Sequence, residues 1–365
     1  MLSTYLDSED TMNTLEQMID FGHERVCFHN DPETGLRAII AIHSTKLGNG
    51  LGGTRRWHYA TEADALYDVL RLSEGMTYKS ACANLPMGGA KSVILLPTPG
   101  HPQSEAEARA MGRFVDTFQG AYIAAEDVGV DIQFIDWMAQ ETSHVKGGET
   151  LCTGGDPSPF TAQGVVNGMK ACLAHSGHAV DFSGVHAAIQ GVGKVGYHIA
   201  KILTELGATI TAADINKENL NRVVEEFDAQ PVDPDDILTT KCDLLVPCAL
   251  GGVIDTNMAR KLKCEIICGG ANNILGDPNE DAVVLKSAGI LYAPDFVVNA
   301  GGIIHLAGLH LNMTTEELNR KSDEIETTTA HILQKGEEME STYAAAIALA
   351  QQRIAEGSKE QVHAG

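Results

Sequence analysis

Lys79 and Lys91 stand twelve residues apart in GMTYKSACANLPMGGAKSVILL (75–96), each in surroundings unusual for a lysine. Lysines belong mostly to the solvated surface. Lys79 lies between Met76 and Ala81 in an apolar helical stretch, and Lys91 follows Gly88-Gly89-Ala90 just before an apolar strand. Two ammonium groups facing one cleft repel each other, and with partial burial this depresses the pKa of one of them. A lysine so shifted can serve as a general base near neutral pH, while the one that stays charged is suited to hold a carboxylate. For either lysine taken alone, a helix-end or salt-bridge role is the competing reading. Asp127, in AAEDVG (124–129), follows a short apolar strand, which puts its carboxylate at the strand's carboxyl end, the ligand side of α/β sheets. It reads either as a proton relay or as the N-cap of a helix opening near Asp131.

A second constellation lies in VHAAIQGVGKVGYHIAKILTELGATITAADIN (185–216), where an apolar strand runs into Gly191-x-Gly193-x-x-Gly196, then a helix, then a second strand ending in Asp214. Strand, glycines, helix, strand and acid in that order within about 30 residues form a dinucleotide-binding fingerprint. Gly191 permits the tight turn, Gly193 lets a pyrophosphate approach the backbone, and Gly196 lets the helix pack on the strand, with the phosphates at the positive helix end. Val192, Lys194 and Val195 complete the loop, and the Lys194 cation helps any phosphate ligand. Asp214 would accept hydrogen bonds from the adenosine ribose hydroxyls and repel a 2′-phosphate, so the expected cofactor is NAD rather than NADP.

These side chains need a framework, and the pattern supplies one. RAIIAIHST (37–45), SVILL (92–96) and AYIAA (121–125) read as strands, with helices from Thr61 as N-cap and over 105–120 up to a glycine stop. After a Gly/Pro/Ser/Thr-rich hinge or cleft loop at about 146–160, VHAAIQ, ATITAAD, CDLLVP, CEIIC and ILYAP continue the alternation, as in a doubly wound parallel sheet. From Thr314 the chain reads as two helices with a solvated charged face. The fold class is α/β, and the second half, beyond the loop, reads as a Rossmann doubly wound sheet carrying the dinucleotide fingerprint.

With 26 Lys plus Arg against 49 Asp plus Glu, the net charge of −23 repels phosphate backbones and anionic headgroups, so neither nucleic acid nor membrane is an expected partner. The acidic first residues lack a signal peptide's charge and apolar run. Eight cysteines without CxxC pairing read as reduced thiols in a cytoplasmic protein, with no metal site.

From about Asp20 to Ile354 the chain resembles the glutamate, leucine, phenylalanine and valine dehydrogenase superfamily, most of all its leucine dehydrogenase branch. The motifs are GLGGTRRW (50–57), GMTYK (75–79), MGGAK (87–91), AEDVG (125–129), PSPFTAQGV (157–165), QGVGKVG (190–196), PCALGG (247–252), GGANNIL (269–275) and YAPDFVVNAGGII (292–304). The resemblance implies two domains, an N-terminal α/β substrate domain over 1–146, completed by a helix at about 338–356, and a Rossmann NAD-binding domain over 147–337, with a deep cleft between them. It implies reversible oxidative deamination of an L-amino acid to its 2-oxo acid, with NAD reduced and ammonia released, in a homo-oligomer, dimer or octamer. It implies that Lys79 binds the substrate carboxylate, that Lys91 activates water, and that Asp127 exchanges protons with the amino group. It also implies that Thr161 holds the nicotinamide carboxamide, that Asn272 lies near nicotinamide and substrate with Asn299 nearby, and that the backbone of Cys248, Ala249 and Leu250 passes the cofactor ribose.

Glutamate-specific relatives carry a lysine before the Gly-Gly pair; here Leu51 precedes Gly52-Gly53, and burying a second carboxylate without that charge is costly. Leu51, Met76, Ala125, Ile303 and Leu306 offer an apolar pocket instead. Relatives that prefer phenylalanine tend to carry a glycine-containing version of this strand end, so by the same resemblance Ala125-Glu126-Asp127 implies branched aliphatic substrates. Ala90 replaces a family glycine, and its methyl is expected to shift Lys91 or narrow the cleft. His305, where relatives carry Asn or Gln, is expected to be a hydrogen-bonded structural histidine rather than a titrating one. The first dozen residues, which precede the resemblance, read as a tail or an oligomer contact. Two alternatives stay open: an aromatic (phenylalanine or tryptophan) amino acid dehydrogenase, and a non-catalytic NAD-binding regulator.

Overall fold

The computed structural model describes residues 13–152 and 154–364, so the N-terminal stretch read as a tail or oligomer contact lies outside the described residues. The chain forms two compact units. The first gathers the residues up to Ala81, Leu85–Gly155 and the chain from Ile354; the second takes Cys82–Asn84 and Asp156–Arg353.

In the first unit, strands β1 (Arg25–Asp31), β2 (Leu36–Ser44), β3 (Gly50–Trp57), β4 (Gly88–Leu95) and β5 (Tyr122–Glu126) form one sheet in the order β1-β2-β4-β3-β5. The β1/β2 and β2/β4 pairs are antiparallel, while β3 runs parallel to β4 and β5. Successive side chains of a strand face opposite ways. One face carries Ile39, Ala41 and Val93 against Ala65, Leu66, Val69 and Leu70 of the helix Glu62–Cys82. The other packs Ile40, Ala90, Ile94, Tyr122 and Ala124 against the helices Glu105–Asp116 and Ile132–Ala139. Burying one such aliphatic side chain contributes about 1.5–3 kcal/mol.

The caps are set locally. Thr61 Oγ1 accepts from Asp64 N–H, Ser104 from Glu107 N–H, and Asp131 from Phe134 N–H. Asp131 rather than Asp127 therefore caps the helix after β5, which frees Asp127 from the bland alternative.

Strands β1 and β3 escaped the sequence reading. RVCFHND lies at a sheet edge and is at most half-buried, so it carries no apolar run. The glycines of GLGGTRRW argue against a strand interior on propensity. They are there because neighbours fill the space: a Cβ on Gly52 would lie 1.7 Å from Ala90 O.

The second unit holds β6 (His186–Gln190), β7 (Thr209–Ala213), β8 (Gln230–Pro231), β9 (Cys242–Pro247), β10 (Cys264–Ile267) and β11 (Leu291–Tyr292), in the order β11-β10-β9-β6-β7-β8 with every pairing parallel. This is the expected doubly wound sheet, and its order reverses between β9 and β6, the switch point where ligands bind beyond the strands' carboxyl ends. The two expected C-terminal helices are Thr315–Glu338, opened by a Thr314/Glu317 capping box, and Thr342–Ala364. Among the described residues no helix is long and apolar enough to cross a membrane, and no group of three or more His, Cys, Asp or Glu could hold a metal.

Candidate active site

The neighbouring strands β4 and β3 bring Lys91 and Gly53 together on the sheet face that meets the helix Glu62–Cys82. Lys91 is 5% exposed, and its Nζ lies 2.9 Å from Oδ2 of Asp127, just past the end of β5. The same Oδ2 accepts a second charged hydrogen bond, from Arg55 Nε at 3.0 Å. Gly53 makes room for this meeting: a Cβ there would lie 2.7 Å from Asp127 Cβ and 3.2 Å from Lys91 Nζ. Burial pushes the Lys91 ammonium below the ordinary lysine range; Asp127 opposes that shift and Arg55 adds to it. Burial alone would raise the Asp127 carboxyl, yet Lys91 and Arg55 hold it well below the usual carboxylate range. The result is a lysine biased toward neutrality beside a fixed carboxylate, which can take a proton and pass it on.

The repelling cation in this arrangement is Arg55, which the sequence reading did not single out; it had looked for that charge on the other lysine. Its signal was the alternation along β3, which puts Leu51, Gly53 and Arg55 on one face. Lys79 is half-buried on the helix Glu62–Cys82, three residues after Met76, whose Cγ lies 3.4 Å from where a Gly52 Cβ would be. The helix is drawn close at Gly89, where a Cβ would stand 2.1 Å from Thr77 N. Leu51 and Ala125 are both 1% exposed; Leu51 pairs with Gly89 and Ile123, and Ala125 with Gly53. The expectation for Ala90 is corrected: its methyl sits on the opposite face, in the core with Ile94, Tyr122 and Ala124, and so does not narrow the Lys91 side.

In the second unit the glycine loop follows β6. Gly191 has φ +84°, and a Cβ there would meet Ala249 Cβ at 2.8 Å, so the turns after β6 and β9 lie against each other. Cys248 N–H donates to Gln190 O at 2.7 Å across the same switch point. A Cβ on Gly196 would lie 2.0 Å from Gly191 O, whereas Gly193, the N-cap of the helix Lys194–Glu205, has open space beside it. Val192 is buried, Val195 half-buried and Lys194 exposed. Oδ2 of Asp214, just beyond β7, accepts the Val192 N–H at 2.8 Å. Burial raises the Cys248 thiol to about 12, so it is inert at neutral pH. Leu250, by contrast, is 81% exposed.

Elsewhere in this unit Thr161 lies in the first turn of the helix Ser158–His175, where its Oγ1 donates to Pro157 O. Gly301 and Gly302 let the helix Gly301–Leu311 lie on that turn, with Ile303 buried and Leu306 half-buried. Asn272 is exposed, and its Oδ1 accepts from Nδ2 of Asn299, itself 4% exposed and also donating to Ala271 O. Asn299 thus holds Asn272, the amide that faces solvent. His305 is 7% exposed and stacks on Phe160 with ring centroids 4.0 Å apart.

Two family models match the chain: the dimerisation domain of Glu/Leu/Phe/Val dehydrogenase over residues 23–144, and Glutamate/Leucine/Phenylalanine/Valine dehydrogenase over 212–361. The leucine dehydrogenase of Geobacillus stearothermophilus is 43% identical over 94% of each chain. The phenylalanine dehydrogenase of Lysinibacillus sphaericus is 42% identical over 83% of this chain and 81% of its own. The crystal structure of L-tryptophan dehydrogenase from Nostoc punctiforme superposes with a TM-score of 0.82 at 35% identity, covering 94% of this chain and 99% of that one. The chain belongs to the Glu/Leu/Phe/Val dehydrogenase family, amino acid dehydrogenases that work with a nicotinamide cofactor.

Proposed function

We propose that the protein catalyses the reversible NAD-dependent oxidative deamination of branched-chain L-amino acids (leucine, valine and isoleucine) to 2-oxo acids, releasing ammonia. The observation that carries this reading is the buried Lys91 joined to Asp127 at 2.9 Å, a base and a proton carrier held apart from bulk water.

The residues present fit a dinucleotide. Gly191 and Gly196 leave no room for a side chain while Gly193 is open on its outer side, as a loop must be if phosphate is to reach its backbone. In this reading Gly191–Gly196, Asp214, Thr161 and Asn272, with the Cys248–Leu250 turn, hold the cofactor, and the Asp214 carboxylate selects NAD. NAD, when bound, supplies the acceptor for the hydride that leaves the amino acid α-carbon.

Lys79 would hold the substrate carboxylate by its charge. Neutral Lys91 takes a proton from water as the water oxygen bonds to the imino carbon. Asp127, ionised and in contact with Nζ, relays that proton to the nitrogen. Lys91, neutral again after that relay, takes the hydroxyl proton as the C–N bond breaks, so ammonia leaves and the carbonyl of the 2-oxo acid forms. Leu51, Met76 and Ala125, with Ile303 and Leu306, would line the side-chain pocket; with no cation in place of Leu51, a second carboxylate on the substrate's side chain would be buried unpaired. The dimerisation-domain match supports a homo-oligomer, dimer or octamer, and eight free thiols suit a reducing cytoplasm.

The second reading, an aromatic amino acid dehydrogenase, is favoured by the 35% identity to the tryptophan enzyme over nearly its whole length. NADH formation from leucine, valine, isoleucine, phenylalanine, tryptophan and glutamate at equal concentration separates the two. A branched-chain preference is expected, and a preference for glutamate or an aromatic substrate defeats the pocket argument. Tight NAD binding without turnover of any amino acid would establish a regulator instead.

A further inference from the structure

Arg55 does more than pair with Asp127. Its Nε meets Asp127 Oδ2, while its Nη1 reaches Asp68 Oδ2 at 2.9 Å, on the helix Glu62–Cys82 that also carries Lys79. Asp68 is gripped from three sides, since Tyr59 Oη donates to the same Oδ2 at 2.8 Å and Arg71 Nη2 meets Oδ1 at 3.1 Å. A continuous chain of charge-assisted contacts therefore runs from Lys91 through Asp127 and Arg55 to Asp68, and every side chain in it is 21% exposed or less. Such contacts are short, directional and about twice as strong as neutral hydrogen bonds. With Arg71 included, three cations face two carboxylates when Lys91 is protonated; the charges balance when it is neutral. The sheet's pairing is carried by backbone and its face is packed by the apolar residues of the helix.

We propose that Arg55 and Asp68 are positioning residues that fix Asp127 in place and set the charge of Lys91 from opposite directions, with Arg55 favouring the neutral amine and Asp68 restraining that effect. The inference rests on the proposed function in so far as Lys91 is the base. Arg55 adds a positive charge beside Nζ, while Asp68 adds a negative one and keeps Arg55 partly turned away from Asp127. Both effects act beneath the larger one of burial, which itself disfavours the Lys91 ammonium.

The consequence is a pair of opposite effects that a merely structural role would not produce. In oxidative deamination the rising limb of kcat/KM against pH follows deprotonation of Lys91. In Arg55→Gln that limb should move to higher pH, by about one unit, the low end of what a single neighbouring charge does at this range. In Asp68→Asn it should move to lower pH. Arg55→Lys, which keeps the cation, should return the limb toward the wild-type position even where kcat stays reduced. Loss of packing alone would lower stability and rate without moving the limb in opposite senses.

The same signs can be read without turnover. In protein labelled with 13C at lysine Cε, the resonance missing from Lys91→Arg reports Lys91 titration in each unliganded variant, with thermal unfolding scans confirming that each is folded. Opposite displacements of that midpoint in Arg55→Gln and Asp68→Asn support the proposal. Equal displacements in one direction, or none in either, overturn it. If the wild type turns over no amino acid, the functional reading fails while the Lys91 titration still decides this one. If Arg55→Gln does not fold, Arg55→Lys leaving the Lys91 midpoint in place while Asp68→Asn lowers it supports the proposal, and an unmoved midpoint in Asp68→Asn overturns it.

Discussion

Oδ2 of Asp214 accepts the backbone N–H of Val192 at 2.8 Å, tying the acid at the end of β7 to the middle of the glycine loop after β6. One carboxylate thus has two uses, since it shapes the loop and presents negative charge where a ribose would lie. Its other oxygen already accepts from Asn216 N–H at 2.7 Å, which fixes the orientation of the group. In Asp214→Ala the Val192 N–H loses a charged partner, worth about 1.5–3 kcal/mol. The KM for NAD should rise about tenfold or more while the preference for NAD over NADP narrows. Unchanged cofactor selectivity, measured as the ratio of kcat/KM for the two, would count against the ribose assignment.

Lys91→Ala removes the proposed base but leaves Asp127 partnered by Arg55, so the carboxylate is not stranded. The fold should survive, and kcat should drop by about 10²-fold or more, the usual size of such an effect. Lys91→Arg should not restore it, because a guanidinium does not lose its proton in this pH range. Turnover within a few-fold of wild type in either variant removes Lys91 from the role of base.

Gly53→Ala tests whether space, not only charge, was arranged around the pair. The new methyl would lie 2.7 Å from both Asp127 Cβ and Glu126 O, and 3.2 Å from Lys91 Nζ, so the pair must shift. A displacement near 1 Å from reacting geometry can cost on the order of 10²-fold in rate. We expect kcat to fall at least tenfold with a smaller change in unfolding midpoint. An enzyme with normal kcat would show that the contact relaxes away from the reacting atoms.

The sequence made the second unit legible almost throughout, because its buried parallel strands are unbroken apolar runs and its glycine loop has a fixed spacing. Among its strands only β8 was missed, two residues long and exposed, and the helices Lys217–Phe227, Pro278–Ser287 and Gly301–Leu311 went unread. The first unit was harder. Lys79, Lys91 and Asp127 stood out as charges in apolar settings, but Arg55 and Asp68 did not. Arg55 lies in a strand whose glycines hide it, and Asp68 reads as one more acid on an amphipathic helix. Their partners are 72 and 13 residues away along the chain, a relation that no local period encodes. Ala90 is misjudged for a related reason: the strand read as 92–96 begins at Gly88, and only its two-residue alternation from there shows that the Ala90 methyl faces the other way from Lys91.

Two buried histidines give the first unit a pH dependence separate from that of the active pair. His23 Nε2 lies 2.7 Å from Ser73 Oγ and His43 Nδ1 lies 2.8 Å from Thr77 Oγ1, with the rings edge to face at 4.9 Å. Burial lowers both to about 4, and the nearness of His43 adds to the shift of His23. Between about pH 6.5 and 4 the unfolded chain binds protons that the folded chain refuses. Their contribution is therefore complete above 6.5 and lost as the pH falls toward 4, at about 1.4 kcal/mol per unit for each ring. Asp127, whose carboxyl is held low, acts in the same sense but only below the ordinary aspartate value near 3.8, so the two windows separate. The urea midpoint should fall steeply from pH 6.5 to 4 in the wild type and less steeply in His23→Gln and His43→Gln, which keep a hydrogen-bonding side chain without the titration. Parallel curves for wild type and both variants would place the acid sensitivity elsewhere.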